Sequence, residues 1–292
     1  MLLQYYKLLR IPQWVKNFFL FTPLLFSQHL FDKDYFSVTL GAFFIFCFVS
    51  SVVYTFNDII DAPADRTHPK KKSRPLASGK LSVNQAIIII IILLSVIGLF
   101  LPTFNINFIY AVGGYFVLNI FYSFWFKHIV LLDVFSIAAG FMIRIAAGAY
   151  AINVEISSWL VLTTMFISLF LGVMKRFSEL QLISETDSGQ SRKVLVYYSL
   201  SFTEQMATVA AAGVIICYAL YTVSSRTVAV FGTENLIFTT PFVVYGIFRY
   251  MYLVYMDKKG ENTSEEIFRD ISMIINIILY ITVTVLIIYH LL

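Results

Sequence analysis

The chain has 292 residues, of which 59% are hydrophobic and 13% are charged, and its formal net charge is +4. Soluble domains contain about 25% charged residues, so this composition excludes a soluble protein and indicates an integral membrane protein. A small net charge without a soluble basic domain also argues against nucleic acid as a partner.

Nine apolar segments are candidates for membrane-spanning helices, which need about 20 residues each. They lie near residues 17–31, 35–57, 83–101, 106–126, 129–150, 157–180, 200–223, 236–256 and 268–290. The first is short and is interrupted by Pro23. We therefore expect an all-α polytopic membrane protein with nine transmembrane helices, formed by a single domain over residues 1–292.

The lysine and arginine residues divide unevenly between the loops on the two sides of the membrane. One set of loops holds nearly all of them, whereas the opposite set holds only Lys33 and Arg226. The positive-inside rule then places the amino terminus in the cytoplasm and Leu292 outside. We expect a bacterial inner-membrane protein whose charged clusters face the cytoplasm. A transporter for phosphorylated solutes is an alternative, but it would need charges on both sides or along a path.

The second apolar segment leads into three aspartates, Asp58, Asp61 and Asp65, which follow Asn57. Their spacing of i, i+3 and i+7 places them on one face of a helix, where like charges repel. Magnesium relieves such repulsion, because it binds through one or two carboxylates and the oxygens of a substrate phosphate. The pattern therefore predicts a magnesium and diphosphate site. The alternative, a solvated cytoplasmic loop, explains the neighbouring cations but not the helical register of the aspartates.

A basic loop follows the aspartates and is suited to hold the rest of a phosphate group. Pro69 and Pro75 exclude a regular helix in this loop. Arg66 and Arg74 are the expected phosphate ligands, since a guanidinium group can form two parallel hydrogen bonds with phosphate oxygens. The other cations are His68, which we expect to donate a hydrogen bond, and Lys70, Lys71 and Lys72, which also serve as a topological signal.

A second polar cluster lies between the fourth and fifth predicted spans and contains Tyr122, Lys127 and Asp133. Lys127 and Asp133 fit either a substrate site or anchors at the membrane interface. Arg144 lies inside the fifth apolar segment, roughly 16 Å deeper than Asp133 at the helical rise. A charge at that depth must face protein or a water-filled cavity, so we expect a structural or cavity-lining role.

A third cluster ends the sixth predicted span, with the sequence Lys175-Arg176-Phe177-Ser178-Glu179-Leu180. Lys175 and Glu179 have the i,i+4 spacing of a helical ion pair. One interpretation is a helix end with a self-satisfied ion pair. The other is a second lobe of the phosphate site. Arg249, near the end of the eighth predicted span, is a further candidate.

The run from Asn57 to Asp65 resembles the first signature of the UbiA superfamily of intramembrane transferases, N-D-x-x-D-x-x-x-D followed by a basic loop. Asn57, Asp58, Asp61 and Asp65 match it at every position. The resemblance implies helices around a central cavity that opens to the cytoplasmic side, with magnesium bridging the aspartates to a diphosphate. Most members transfer a prenyl group and carry a second aspartate-rich motif after the sixth span.

The chain departs from that second motif, because the stretch from Lys175 to Leu180 contains a single carboxylate. In this respect it resembles the polyprenyl-phosphate phosphoribosyltransferase branch. Further matching features are Arg10 to Asn17, Asp65 to Pro69, Arg74-Pro75, Tyr122-Ser123, Lys127, Asp133, Gly140 to Arg144, Arg249-Tyr250 and Asp270. The branch implies transfer of a 5-phosphoribosyl group from phosphoribosyl diphosphate to a polyprenyl phosphate, with release of diphosphate. The rival within the superfamily is a prenyltransferase with an aromatic acceptor.

The resemblance and the clusters together define the expected site. The expected catalytic residues are Asp58, Asp61, Asp65, Lys175 and Arg176, with the three aspartates as ligands of the cofactor Mg2+. The 5-phosphate of the donor needs a separate basic pocket, to which the second and third clusters could contribute. The residues expected to bind substrate are Lys16, Asn57, Arg66, His68, Lys70, Arg74, Tyr122, Lys127, Asp133, Arg144, Glu179 and Arg249.

Overall fold

The computed structural model describes residues 1–66, 71–186, 193–256 and 269–291. Within these ranges every regular element is a helix. The α-helices are α1 (Leu2–Leu8), α2 (Thr22–Phe26), α3 (Lys33–Asp65), α4 (Val83–Phe100), α5 (Ile106–Phe124), α6 (Leu132–Ala151), α7 (Ser158–Thr186), α8 (Leu200–Val223), α9 (Ser225–Phe231), α10 (Thr240–Tyr255) and α11 (Ile271–Ile288). The 3-10 helices are Ile11–Phe21, Lys71–Ser73, Leu101–Thr103, Phe126–His128, Lys193–Tyr197 and Asn235–Thr239.

In the described ranges, 8 helical segments are long and apolar enough to cross a membrane, which confirms the all-α membrane class. They correspond to the predicted spans from the second to the ninth. The count of nine is not confirmed, because the first predicted span, near residues 17–31, covers only the end of the 3-10 helix Ile11–Phe21 and the short α2. Pro23 favours this interruption, since it has no N–H to donate to the carbonyl of Phe19.

Helix α3 carries the three aspartates and ends at Asp65. Its amino terminus is capped by Asp32, whose carboxylate accepts hydrogen bonds from two backbone N–H groups of the first turn. At the other end the helix continues past the predicted end of the span and includes Pro63. Asp58, Asp61 and Asp65 therefore lie in one continuous helix, with the register that the sequence predicted.

The chain divides into two compact units. Unit 1 comprises Met1–Leu24, His29–Trp125 and Ile143–Glu155. Unit 2 comprises Leu25–Gln28, Phe126–Met142 and Ile156–Leu292. The single domain expected over residues 1–292 stays a prediction.

Unit 1 has an aromatic core that holds α3. Phe46 of α3 lies with its ring centroid 6.0 Å from that of Phe108 and 5.3 Å from that of Tyr115, both on α5. Leu20 and Ala147 are fully buried in the same cluster. Because these contacts are apolar and closely packed, they fix the helix that presents the aspartates.

Unit 2 has its main core between α7, α8 and α10. Phe170 and Met174 of α7 and Ala210 of α8 are buried in this cluster. Tyr250 of α10 packs edge-on against Phe170, with ring centroids 5.8 Å apart. The core thereby positions the end of α7, where Arg176 lies.

Gly148 permits a close approach of backbones within unit 1. A Cβ atom at this position would lie 2.9 Å from the carbonyl carbon of Leu20 and closer still to its oxygen. Small residues allow helices to approach closely in membranes, and here the partner is the 3-10 helix Ile11–Phe21. The contact helps to hold this amino-terminal segment in place.

We expect Gly148→Ala to lower the free energy of unfolding by roughly 1–3 kcal/mol. The added methyl group would clash with backbone atoms of Leu20, which, unlike a side chain, cannot adopt another rotamer. Thermal unfolding in detergent measures the effect. Gly113→Ala is the matched control, since a Cβ atom at Gly113 would meet nothing within 4 Å. Equal stability of the two variants would contradict the close approach.

Candidate active site

Two buried aspartates of α3 share one arginine. Asp58 and Asp65 are 3% and 4% exposed. Nη1 of Arg74 donates to Oδ1 of Asp58 at 3.2 Å and to Oδ2 of Asp65 at 2.6 Å. Nη2 of Arg10 donates to the same Oδ1 of Asp58 at 2.5 Å. The two carboxylates therefore converge on a single nitrogen, and two arginines balance their charge.

Arg10 is a site residue that the sequence-based list of substrate contacts left out. It precedes the 3-10 helix Ile11–Phe21 and has a left-handed backbone conformation, with φ of 50°. Its guanidinium group lies 4.8 Å from the ring centroid of Tyr54. A side chain other than glycine is uncommon in this conformation and carries some strain. The contacts to Asp58 and Tyr54 offset that strain.

Asp61 lies between these aspartates on α3 and is partly exposed. Within the described part of the chain, its carboxylate has no ion pair or hydrogen bond. Asn57 is partly exposed and Arg66 is exposed. His68 and Lys70 belong to the expected site but lie outside the described residues. Their roles as substrate ligands stay predictions.

The acidic end of α3 suits a magnesium ion in its chemistry. The carboxylates of Asp58 and Asp65 converge on Nη1 of Arg74, and Asp61 lies one helical turn from Asp58. Magnesium prefers carboxylate oxygens as ligands, together with water and phosphate oxygens. Across the described residues, no group of three or more His, Cys, Asp or Glu side chains is gathered closely enough to hold a metal ion. Arg10 and Arg74 instead pair with Asp58 and Asp65, the carboxylates whose charge we expected a metal ion to neutralise.

Arg144 is 5% exposed and lies inside unit 1. Its Nε donates to Oδ1 of Asn17 at 2.7 Å, and its Nη2 donates to the hydroxyl of Tyr115 at 2.7 Å. The guanidinium group also lies 4.6 Å from the ring centroid of Tyr115. The Tyr115 hydroxyl is 3.4 Å from Oγ of Ser50 on α3. Arg144 thus links α6 to the amino-terminal 3-10 helix and to α5.

Lys16 lies beside Asn17 and is partly exposed. Burial, followed by the positive charges of Arg144 and Arg10, lowers the pKa of its amine to about 8. No carboxylate of the described residues pairs with this amine. The amine therefore stays mostly protonated at neutral pH, in a region where positive charges predominate.

Asp133 of the second polar cluster and Arg176 of the third form a fully buried ion pair in unit 2. Both side chains are 0% exposed, and Nε of Arg176 lies 2.7 Å from Oδ2 of Asp133. Arg176 also pairs with Glu179, one helical turn later. The hydroxyl of Tyr198 donates to Oδ1 of Asp133 at 2.7 Å. Burial and this hydrogen bond raise the pKa of Tyr198, so its hydroxyl remains a donor.

In the third cluster the structure shows Glu179 bonded to Arg176. The pair of Lys175 with Glu179 that the spacing predicted stays a prediction. Lys175, Lys127 and Tyr122 are partly exposed. Their contacts with substrate stay predictions, as do those of Asp133 and Arg176.

Arg249 forms a two-point contact with Asp270 in unit 2. Its Nε lies 3.2 Å from Oδ1 and its Nη2 lies 2.7 Å from Oδ2. Asp270 also caps α11 by accepting a hydrogen bond from the N–H of Met273. The pair joins α10 to α11, and the predicted contact of Arg249 with substrate stays a prediction.

Comparison with known proteins identifies related sequences. The sequence model of the UbiA prenyltransferase family matches residues 18–276. The chain is 36% identical to the decaprenyl-phosphate phosphoribosyltransferase of Corynebacterium glutamicum, over 74% of this chain and 66% of that protein. It is 34% identical to the protein of the same name from Mycolicibacterium smegmatis, over 75% of this chain and 70% of that protein. The match to the first relative thus spans just under two thirds of that protein's length.

Solved structures establish the fold. A UbiA homolog from Archaeoglobus fulgidus bound to GPP and Mg2+ is similar to this chain with a TM-score of 0.71. The alignment covers 98% of this chain and 99% of that protein, at 18% sequence identity. At such an identity the similarity concerns the arrangement of the helices and not the choice of substrate.

We expect Arg176→Met to destabilise the protein by about 3–5 kcal/mol, because it leaves the buried Asp133 carboxylate without its cation. Replacing both residues, as in Asp133→Leu with Arg176→Met, should restore much of that loss. Thermal unfolding of the two single variants and the double variant in detergent gives the coupling energy.

Arg249→Met is the matched control, since its side chain is 28% exposed and its ion pair is worth about 1 kcal/mol or less. A smaller loss of stability for Arg176→Met than for Arg249→Met would show that the buried pair is not structural.

Proposed function

The chain belongs to the UbiA prenyltransferase family, and we propose that it is a membrane-bound polyprenyl-phosphate phosphoribosyltransferase. The observation that carries this proposal is the identity of 33–36% with proteins named decaprenyl-phosphate phosphoribosyltransferase, over about three quarters of the chain. The donor would be phosphoribosyl diphosphate and the acceptor a polyprenyl phosphate. We further propose the bacterial inner membrane as its location, with the site facing the cytoplasm.

The proposed reaction forms one bond and breaks one bond at C1 of the ribose. A phosphate oxygen of the lipid attacks C1, and the bond from C1 to the diphosphate oxygen breaks, with its electron pair leaving on the diphosphate. The lipid phosphate is already an anion, so the reaction needs no strong general base. Catalysis would rest on positioning the two substrates and on stabilising the departing charge.

Asp58, Asp61 and Asp65 are the proposed ligands of a magnesium ion. The chemistry that bound magnesium would supply is neutralisation of charge on the departing diphosphate. Arg74 and Arg66 are proposed to contact the diphosphate oxygens, with His68 and Lys70 of the same loop. In the structure, Arg74 contacts Asp58 and Asp65.

The residues of unit 2 have proposed roles that differ with their burial. Lys127 and Lys175 are partly exposed and are proposed to contact substrate phosphate. Arg176 is fully buried between Asp133 and Glu179, which supports a role in positioning this end of α7.

The proposal competes with two other functions. A prenyltransferase with an aromatic acceptor is favoured by the name of the family as a whole. The third cluster argues against it, because its one carboxylate, Glu179, is bound to Arg176. A transporter for phosphorylated solutes is disfavoured by the match to a transferase family.

Transfer of labelled ribose phosphate distinguishes these functions. The purified protein is incubated in detergent with magnesium, radiolabelled phosphoribosyl diphosphate and decaprenyl phosphate. We expect label to enter the lipid phase with release of inorganic diphosphate. Parallel reactions contain a prenyl diphosphate and an aromatic acid, and we expect little product from them. Robust prenyl transfer without phosphoribosyl transfer would overturn the proposal.

We expect Asp58→Asn and Asp65→Asn to abolish transfer, because each variant removes a negative charge from the proposed metal site. Asp34→Asn is the matched control, since Asp34 is exposed at the opposite end of the same helix. EDTA should also stop the wild-type reaction. Near-normal transfer by either site variant, or full activity in EDTA, would contradict the proposed role of magnesium in the reaction.

A further inference from the structure

The segment that leads into α6, residues 126–131, carries Lys127 in the short 3-10 helix Phe126–His128. Lys127 is partly exposed, and within the described ranges its amine has no hydrogen bond or ion pair. Because the side chain of lysine is long and flexible, the backbone of this segment decides where the amine can reach. Any contact that fixes the backbone here therefore also places the amine.

The segment ends at Leu131, which has a left-handed backbone conformation with φ of 69°. A bulky side chain is uncommon in this conformation, so Leu131 carries some strain. Its N–H donates a hydrogen bond to the hydroxyl of Tyr198 at 2.9 Å. This hydrogen bond offsets the strain and fixes the end of the segment.

The hydroxyl of Tyr198 is itself held in place. It donates to Oδ1 of Asp133 at 2.7 Å, and Asp133 is paired with the buried Arg176. The side chain of Tyr198 is buried, and its ring lies nearly parallel to that of Phe202. A hydroxyl can accept and donate at once, and this one joins the segment to a fixed carboxylate in the first turn of α6.

The residues before Tyr198 pack against the same segment. The 3-10 helix Lys193–Tyr197 contacts the 3-10 helix Phe126–His128. Val194 and Leu195 are buried, whereas Tyr197 is 74% exposed. Apolar packing thus brings the two 3-10 helices together, and the Tyr198 hydroxyl adds a directional bond to that contact.

We propose that Tyr198 is a positioning residue, which holds residues 126–131 so that the Lys127 amine can bind a phosphate group of the substrate. This inference rests on the proposed function, in which Lys127 contacts substrate phosphate. Tyr198 acts through Lys127, because its own hydroxyl is engaged by Leu131 and Asp133. Fixing the backbone beforehand favours binding, since less conformational entropy is lost when the phosphate binds.

A double-mutant cycle with Tyr198→Phe and Lys127→Met tests this coupling. Isothermal titration measures binding of phosphoribosyl diphosphate with magnesium to the purified protein in detergent. We expect Lys127→Met to weaken binding by about 10- to 100-fold, as is typical for loss of a charge-assisted hydrogen bond. Tyr198→Phe should weaken binding by about 3- to 10-fold in the wild type. In the Lys127→Met background it should change the affinity by only about twofold or less.

Two further variants serve as controls. Lys175→Met removes the other lysine of unit 2 that is proposed to contact substrate phosphate, and Tyr198→Phe should keep its full effect in that background. Tyr197→Phe removes an exposed hydroxyl from the neighbouring position and should bind the donor as the wild type does. Thermal unfolding of each variant verifies that the protein remains folded.

Hydrogen exchange reports on the segment without any ligand. We expect faster exchange over residues 126–131 in Tyr198→Phe than in the wild type, because the N–H of Leu131 loses its acceptor. Exchange in Tyr197→Phe should match that of the wild type. This measurement separates the hold on the segment from the identity of the substrate.

The outcomes separate the role of Tyr198 from the proposed function. Equal effects of Tyr198→Phe in the wild-type and Lys127→Met backgrounds would overturn the inference. Wild-type affinity of Lys127→Met, or unchanged exchange over residues 126–131 in Tyr198→Phe, would also overturn it. Failure of the wild type to bind phosphoribosyl diphosphate would instead overturn the proposed function. The cycle is then measured with a prenyl diphosphate, where coupling between Tyr198 and Lys127 would support the inference and additivity would overturn it.

Discussion

The ion pairs at the end of α3 are the constraint on which the acidic site depends. Asp58 and Asp65 are buried in an apolar protein, where an uncompensated carboxylate is costly. Arg74 bridges both carboxylates, and Arg10 adds a second cation to Asp58. The two arginines thereby balance the negative charge of these carboxylates. Under the proposed function, a metal ion would take the place of these cations when a diphosphate binds.

The same constraint explains the conformation of the amino-terminal segment. Arg10 reaches Asp58 from a left-handed backbone position, and the segment on either side of it is tied to α3. Oγ of Ser51 donates to the carbonyl of Leu9 at 2.8 Å, and Nε1 of Trp14 donates to Oγ of Ser51 at 3.0 Å. The 3-10 helix then continues to Asn17, which binds Arg144. One segment therefore connects the acidic end of α3 with Arg144 of α6.

Sequence reasoning predicted the features that depend on local pattern. The spans follow from apolar runs, and the register of Asp58, Asp61 and Asp65 follows from helical spacing. It did not predict Arg10 with Asp58, Arg176 with Asp133 or Tyr198 with Asp133, because these partners are far apart in the chain. It also predicted a first span near residues 17–31, where the chain forms the end of a 3-10 helix and the short α2, since apolar composition does not distinguish helix types. The spacing of the aspartates suggested magnesium and a diphosphate, whereas family resemblance supplied the phosphoribosyl donor and the polyprenyl-phosphate acceptor, which no pattern of packing specifies.

The central claim is that the aspartates of α3 bind a magnesium diphosphate in place of their arginine partners. A cryo-electron microscopy structure of the protein with magnesium and inorganic diphosphate tests it most directly. The account predicts metal density between carboxylates of Asp58, Asp61 and Asp65, with the Arg74 guanidinium group moved from the aspartates to a phosphate oxygen. Diphosphate bound elsewhere, with Arg74 still bridging Asp58 and Asp65, would contradict it.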